Sequence, residues 1–172
     1  MKVPTTAPES DSSRSCPCGS ALGYAHCCAI YHLGEAAAPT PEALMRSRYS
    51  AFALGGLGAY LLATWDPRTR DPALTEAQLD VQDSHWLGLE IIEAQAHGAQ
   101  GMVEFKARFR PVTAAALAAP QVLHERSRFR RHRGLWRYLD GIIDPPADGA
   151  PVSRNAPCPC GSGKKAKRCC LR

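Results

Sequence analysis

Met102-Val103-Glu104-Phe105-Lys106-Ala107-Arg108-Phe109-Arg110 alternates apolar and polar residues after its first position. A period of two fits a pleated strand, with Val103, Phe105, Ala107 and Phe109 facing inward and the charged residues outward. Such a half-buried strand needs antiparallel neighbours, and the flanking sequence supplies them. Trp86 to Ala96 reads as the strand before it, across a turn at His97 to Gly101, and Leu123 to Arg131 pairs with Leu135 to Ile143 across Arg133-Gly134. Upstream the period lengthens. Thr40-Pro41-Glu42 offers an N-cap, a proline at the first helical position and an acid in the first turn. Leu44, Met45, Tyr49, Phe52 and Ala53 then recur at helical steps until Gly55-Gly56. Leu57 to Trp65 reads as a second helix ended by Asp66-Pro67, and Thr75 can cap a third that runs to Asp83. Helices followed by a curved meander make an α+β arrangement.

A two-residue turn at Arg133-Gly134 pairs Phe129 with Tyr138, Ser127 with Asp140 and Glu125 with Ile142, all on one face. The other face carries Arg126, Arg128, Arg130 and Arg137, extended by Lys106, Arg108 and Arg110. This predicts a strongly basic solvent face, although charged outer faces also serve simply to solvate a sheet and guard its edges. The inner face would hold Glu125, Ser127 and Asp140, where polar groups are costly without partners. A pocket accounts for them. We therefore expect a cavity lined by Glu125, Ser127, Phe129, Tyr138 and Asp140, beneath a helix bearing Arg46 and Tyr49. Asp140 or Glu125 is the candidate general acid or base there, assisted by Tyr49, Arg46 or His85. The competing structural reading is an ion pair with Arg46 or Arg48 that ties helix to sheet.

All eight cysteines fall in two copies of one pattern: Cys16, Cys18, Cys27 and Cys28, then Cys158, Cys160, Cys169 and Cys170. Zinc holds sulfur at about 2.3 Å in a tetrahedron, so neighbouring sulfurs lie roughly 3.8 Å apart, within reach of residues one or two apart in sequence. Disulfides between such near neighbours would be strained, although cross-pairing between the tetrads satisfies the spacing formally. Four thiolates close a metal shell, which makes a site structural rather than catalytic. In the second copy Gly161-Ser162-Gly163 permits a tight turn, and Lys164, Lys165, Lys167 and Arg168 offset the thiolate charge.

Arg154-Asn155-Ala156-Pro157-Cys158-Pro159-Cys160-Gly161-Ser162-Gly163-Lys164-Lys165, closing at Lys167-Arg168-Cys169-Cys170, resembles the SEC-C motif, a zinc knuckle familiar from a protein-translocating ATPase. Ser15-Cys16-Pro17-Cys18-Gly19-Ser20 keeps the ligands, but Ala21 to His26 replaces the lysines. The central segment is similar to the cone fold of nuclear transport factor 2 and ketosteroid isomerase, in which helices cover a curved sheet around a cavity. With Ser47-Arg48-Tyr49-Ser50-Ala51-Phe52 and His124-Glu125-Arg126-Ser127-Arg128-Phe129 between two knuckles, nearly the whole chain resembles the YchJ family. That resemblance implies architecture and two zinc ions, and no particular reaction.

Breakers divide the chain. We expect an N-terminal knuckle over residues 14–31, the cone-shaped α+β domain over 40–144, a Pro/Gly-rich linker over 145–153 and a C-terminal knuckle over 154–172. Residues 1–100 hold 6 Lys and Arg against 11 Asp and Glu, whereas residues 101–172 hold 15 against 5. A basic second half suggests an acidic protein or ribonucleoprotein partner, nucleic acid, or a second copy of the chain pairing as a homodimer. No apolar run is long enough to span a bilayer, and the first fifteen residues lack a signal-peptide core, so a cytoplasmic protein is expected. The leading functional expectation is a zinc-dependent adaptor that docks through its knuckles and basic face. The alternative is a small-molecule binder or acid–base enzyme that uses the cavity.

Overall fold

The computed structural model describes residues 14–112, 119–145, 155 and 165–168. The expected ligands Cys158, Cys160, Cys169 and Cys170, and most of the expected linker, lie outside the described residues. Helices α1 (Ala29–His32), α2 (Pro41–Leu54), α3 (Gly58–Ala63) and α4 (Glu76–Leu79) precede the strands β1 (Ser84–His97), β2 (Gln100–Pro111), β3 (Gln121–His132) and β4 (Leu135–Ile143). The strands form one antiparallel sheet in the order β1-β2-β3-β4, so the domain is α+β. Among the described residues no helix is long and apolar enough to cross a membrane.

Local chemistry sets the boundaries. The Thr40 hydroxyl accepts from the Ala43 N–H at 3.0 Å, Pro41 opens α2, and Gly55 at φ +72° ends it. Thr75 and Gln78 form a capping box at the start of α4, which closes at Leu79, short of the expected Asp83. Arg133 and Gly134 both take positive φ, +51° and +82°, as the tight turn between β3 and β4 requires. α2 packs its Leu44, Met45 and Tyr49 against Val103, Phe105 and Ala107 of β2 and Phe129 of β3, all buried. Two register shifts in β1, after Trp86 and after Ile91, leave Leu87 and Ile92 exposed and keep Leu89 and Ile91 turned toward the core. Bulges of this kind bend a sheet around what it covers.

A third shift corrects the expected register. Phe129 does face Tyr138, but beyond it Arg128 faces Asp140, Ser127 faces Gly141 and Glu125 faces Ile143. Leu139 is the extra residue, and Asp140 consequently projects from the outer face. The cause is a long-range strap along the open edge of β4. Tyr138 donates its N–H to the Thr64 carbonyl at 2.9 Å, and its carbonyl accepts from the Asp66 N–H at 2.8 Å. The Leu139 carbonyl takes Trp65 Nε1 at 3.2 Å and the Thr69 hydroxyl at 2.6 Å.

The expected basic residues share the outer face, and several of them have carboxylate partners there. Arg128 grips Asp140 through Nε at 2.6 Å and Nη2 at 2.5 Å. Glu104, buried although on the outer face, lies between Arg126 at 2.5 Å and His124 at 2.8 Å. Arg130 reaches the fully buried Asp66 through Nε at 2.8 Å and Nη2 at 2.6 Å, and Arg137 donates to the Ala63 carbonyl. Lys106, Arg108 and Arg110 stay exposed on β2. Each carboxylate partner is remote in sequence from its arginine, or moved to it by the bulge.

Burial acts to raise the Asp66 pKa, but the Arg68 N–H and the Arg130 and Arg68 guanidiniums outweigh it and hold the carboxyl below its ordinary value. A depressed carboxyl contributes stability that is present above its unfolded value, near pH 4, and lost as pH falls through the folded value. Asp66→Asn is expected to destabilise the domain at pH 7 by about 3 kcal/mol, as removing one member of a buried pair does. Denaturant melts should show the gap between variant and wild type closing below pH 4.

Candidate functional site

Residues 14–28 fold into a small knuckle. Ser15 bridges Gly23, Cys16 donates its N–H to the Leu22 carbonyl at 2.8 Å, and Gly19 turns the chain at φ +76°. The four sulfurs of Cys16, Cys18, Cys27 and Cys28 all lie within 4.8 Å of one another, with Cys18–Cys27 at 3.6 Å and Cys27–Cys28 at 3.9 Å. These separations match the edge of a sulfur tetrahedron around one ion, and all four thiols are free. The donor set therefore fits a metal. The Cys28 thiol hydrogen bond, above all, holds the Cys18 pKa well below the ordinary thiol value, at about 4, against the opposing effect of burial. The same hydrogen bond raises Cys28.

The knuckle is bolted to α2. Ser50 Oγ lies 3.4 Å from Cys28 Sγ and 3.6 Å from Cys16 Sγ. Arg46 Nη1 donates to the Cys18 carbonyl at 2.9 Å, and its Nε pairs with Glu42 at 2.8 Å. Burial lowers the His32 pKa, leaving a neutral ring whose Nε2–H donates to the Ser47 carbonyl while Nδ1 accepts from the Tyr24 hydroxyl, each at 2.8 Å. α2 thus carries the cysteine cluster on one side and the sheet on the other.

Between α2 and the sheet lies a cavity of about 210 Å³, walled by Met45, Phe52, Trp65, Trp86, Phe105, Ala107 and Leu123. Its polar members are Arg48, Tyr49, Glu125, Ser127 and Tyr138. Arg48 is only 4% exposed; its guanidinium stacks over the rings of Tyr138 at 4.9 Å and Trp65 at 5.5 Å. Its Nη1 donates to the Leu61 carbonyl at 2.7 Å and to the Thr64 hydroxyl at 2.6 Å. Burial brings the Arg48 pKa down to about 10, which still leaves it cationic at neutral pH. Glu125 Oε1 accepts from Ser127 Oγ at 2.6 Å and from the Tyr138 hydroxyl at 3.2 Å. Burial first, then the Glu125 carboxylate, raises the Tyr138 pKa, so the phenol remains a donor. Gly141 makes room for this carboxylate, since a Cβ there would sit 2.0 Å from Oε1.

Four expected residues, Tyr49, Glu125, Ser127 and Tyr138, line the cavity. Phe129 packs edge-on to Tyr138 at 5.9 Å as part of the hydrophobic core. Asp140 does not line it, because the Leu139 bulge turns it to the outer face, and Arg46 does not, because it faces the knuckle. His85 sits on β1 opposite Arg110. The cation of the cavity is Arg48. Helical spacing carried that signal, since Met45, Arg48, Tyr49 and Phe52 fall at steps of three and four on one face. The roles of Trp65 and Trp86 as cavity walls had no comparable signal.

Comparison with known proteins gives matches to two parts of this chain and to nearly its full length. A model of the middle NTF2-like domain of YchJ matches residues 40–141, and one of the SEC-C motif matches residues 154–172. A UPF0225 protein of Vibrio parahaemolyticus is 42% identical over 169 residues, 91% of this chain and 98% of that one. The solution structure of a SEC-C motif containing protein from Rhodopseudomonas palustris is 38% identical with a TM-score of 0.65, covering 74% of this chain and 97% of that one. The crystal structure of a SEC-C motif containing protein from Psychrobacter arcticus is 33% identical with a TM-score of 0.64, covering 94% and 97%.

Because Ser50 and Arg46 meet the knuckle and Ser47 meets α1 beside it, loss of a metal bound there should loosen α2 before the sheet. In the metal-loaded protein, Cys28→Ser is expected to lower metal content and to speed amide hydrogen exchange across residues 46–51, with β2 and β3 much less affected. Equal acceleration in sheet and helix would contradict the coupling.

Proposed function

The chain belongs to the YchJ family, and from that premise we propose that its central domain binds a small organic molecule in the cavity under α2, with the N-terminal metal knuckle holding that helix in place. One observation carries this reading. A buried guanidinium and a carboxylate share a room whose other walls are apolar and aromatic, the composition of a ligand site rather than of a simple core. An engineered apolar cavity of about 150 Å³ accommodates benzene, so a space of about 210 Å³ suits a single-ring ligand.

Zinc is the ion we assign to both cysteine tetrads, because four thiolates select it and close its shell. Free thiolates are maintained in a reducing cytoplasm, which is the location we assign. A second reading stands beside the first and is compatible with it. The SEC-C match over residues 154–172, with Lys164, Lys165, Lys167 and Arg168 inside it, favours docking of the C-terminal knuckle on an acidic protein or ribonucleoprotein surface. The ion-paired sheet contributes less to that contact than its arginine count suggests.

Toluene titrated into the zinc-loaded protein is expected to produce saturable shifts in the indole N–H resonances of Trp65 and Trp86. Ala107→Leu, which fills part of the cavity, should weaken them. Absence of any saturable shift with toluene and with polar single-ring probes of the same size would remove the pocket reading. For the metal, elemental analysis is expected to find two zinc ions per chain, and one in Cys170→Ser.

A further inference from the structure

Resting on the cavity as a ligand site, we propose that its ligand is a neutral, flat molecule with a carbonyl beside an N–H, an aromatic amide or lactam, held between Arg48 and Glu125. Arg48 has committed Nη1 to Leu61 and Thr64. Among the described residues no protein acceptor stands within hydrogen-bond reach of its Nε or Nη2, yet no buried side-chain nitrogen or oxygen lacks a partner, so these N–H groups look into open space. A guanidinium held this deep calls for an acceptor on its free edge. Glu125 presents the complementary need. Both of its protein donors, Ser127 and Tyr138, fall on Oε1, and among the described residues no donor occupies Oε2.

The two groups form no direct ion pair among the described residues, so the cavity offers a cationic donor and an anionic acceptor at once. That pairing selects the charge of the guest. A carboxylate gains at Arg48 but is repelled by Glu125, and an ammonium has the reverse difficulty. A neutral amide meets both, with its carbonyl toward Arg48 and its N–H toward Glu125. Trp65, Trp86, Phe52 and Phe105 supply faces and edges for an attached ring. Both polar groups are held before any ligand arrives, Arg48 by the Trp65 and Tyr138 rings, Glu125 by Ser127 and Tyr138 over Gly141.

The test compares four single-ring probes, benzamide, benzoate, benzylamine and toluene, titrated into the full zinc-loaded chain and followed by the Trp65 and Trp86 indole resonances. Benzamide is expected to bind at least tenfold tighter than the other three. Glu125→Gln, nearly the same shape, should narrow or reverse the preference over benzoate, and Arg48→Gln should abolish the advantage of benzamide over toluene. If Arg48→Gln does not fold, the Glu125→Gln comparison alone decides. Toluene binding as well as benzamide, or benzoate or benzylamine binding better, would overturn the ligand class and leave the pocket standing. Failure of all four probes to enter would overturn the pocket reading itself.

Discussion

Nearly every functional feature of this domain depends on α2 being gripped along its length from opposite sides. Ser50, Ser47 and Arg46 meet the knuckle and α1, while Leu44, Met45 and Tyr49 sink into the sheet. A helix of fourteen residues is marginal by itself, so its position is set by what packs on it. Arg48 belongs to neither contact and points along the seam into the cavity. A buried guanidinium is tolerable there because its cation rests on two aromatic rings and one nitrogen is saturated by backbone and hydroxyl oxygens. Cysteine cluster, helix and cavity are therefore in one continuous set of contacts.

The strap from Thr64 to Asp66 is the second constraint. By taking the edge of β4 it forces the Leu139 bulge, and the bulge decides which carboxylate sees which face. Glu125 stays in the cavity with two hydroxyl donors, whereas Asp140 becomes the outer partner of Arg128. The strap also delivers Asp66 beneath Arg130. Together with Glu104 these contacts turn a row of arginines into a lattice of ion pairs, so the charge imbalance between the halves of the chain is much less visible on the sheet than in the composition.

The two cysteine tetrads differ in what lies between their cysteines. The N-terminal copy carries no lysine between its cysteines and packs against its own domain, with its sulfurs against Ser50. The C-terminal copy carries Lys164, Lys165 and Lys167 there and matches the SEC-C motif.

How much of this was legible follows the range of the interactions. Period and punctuation in the sequence determined α2 from Thr40 to Gly55, the four strands, the Arg133-Gly134 turn and the cysteine tetrad, because each rests on chemistry within a few residues. The inward placement of Tyr49 followed from helical spacing, and that of Glu125, Ser127 and Tyr138 from strand alternation. The placements of Asp140 and Arg46 and the partners of the basic face were not legible, since they hang on contacts such as Trp65 with Leu139, Arg46 with Cys18 and Arg130 with Asp66, separated by 74, 28 and 64 positions. One extra residue in a strand reverses every side chain beyond it, and only the tertiary structure, where the segment after α3 captures that residue's carbonyl, decides where the reversal falls.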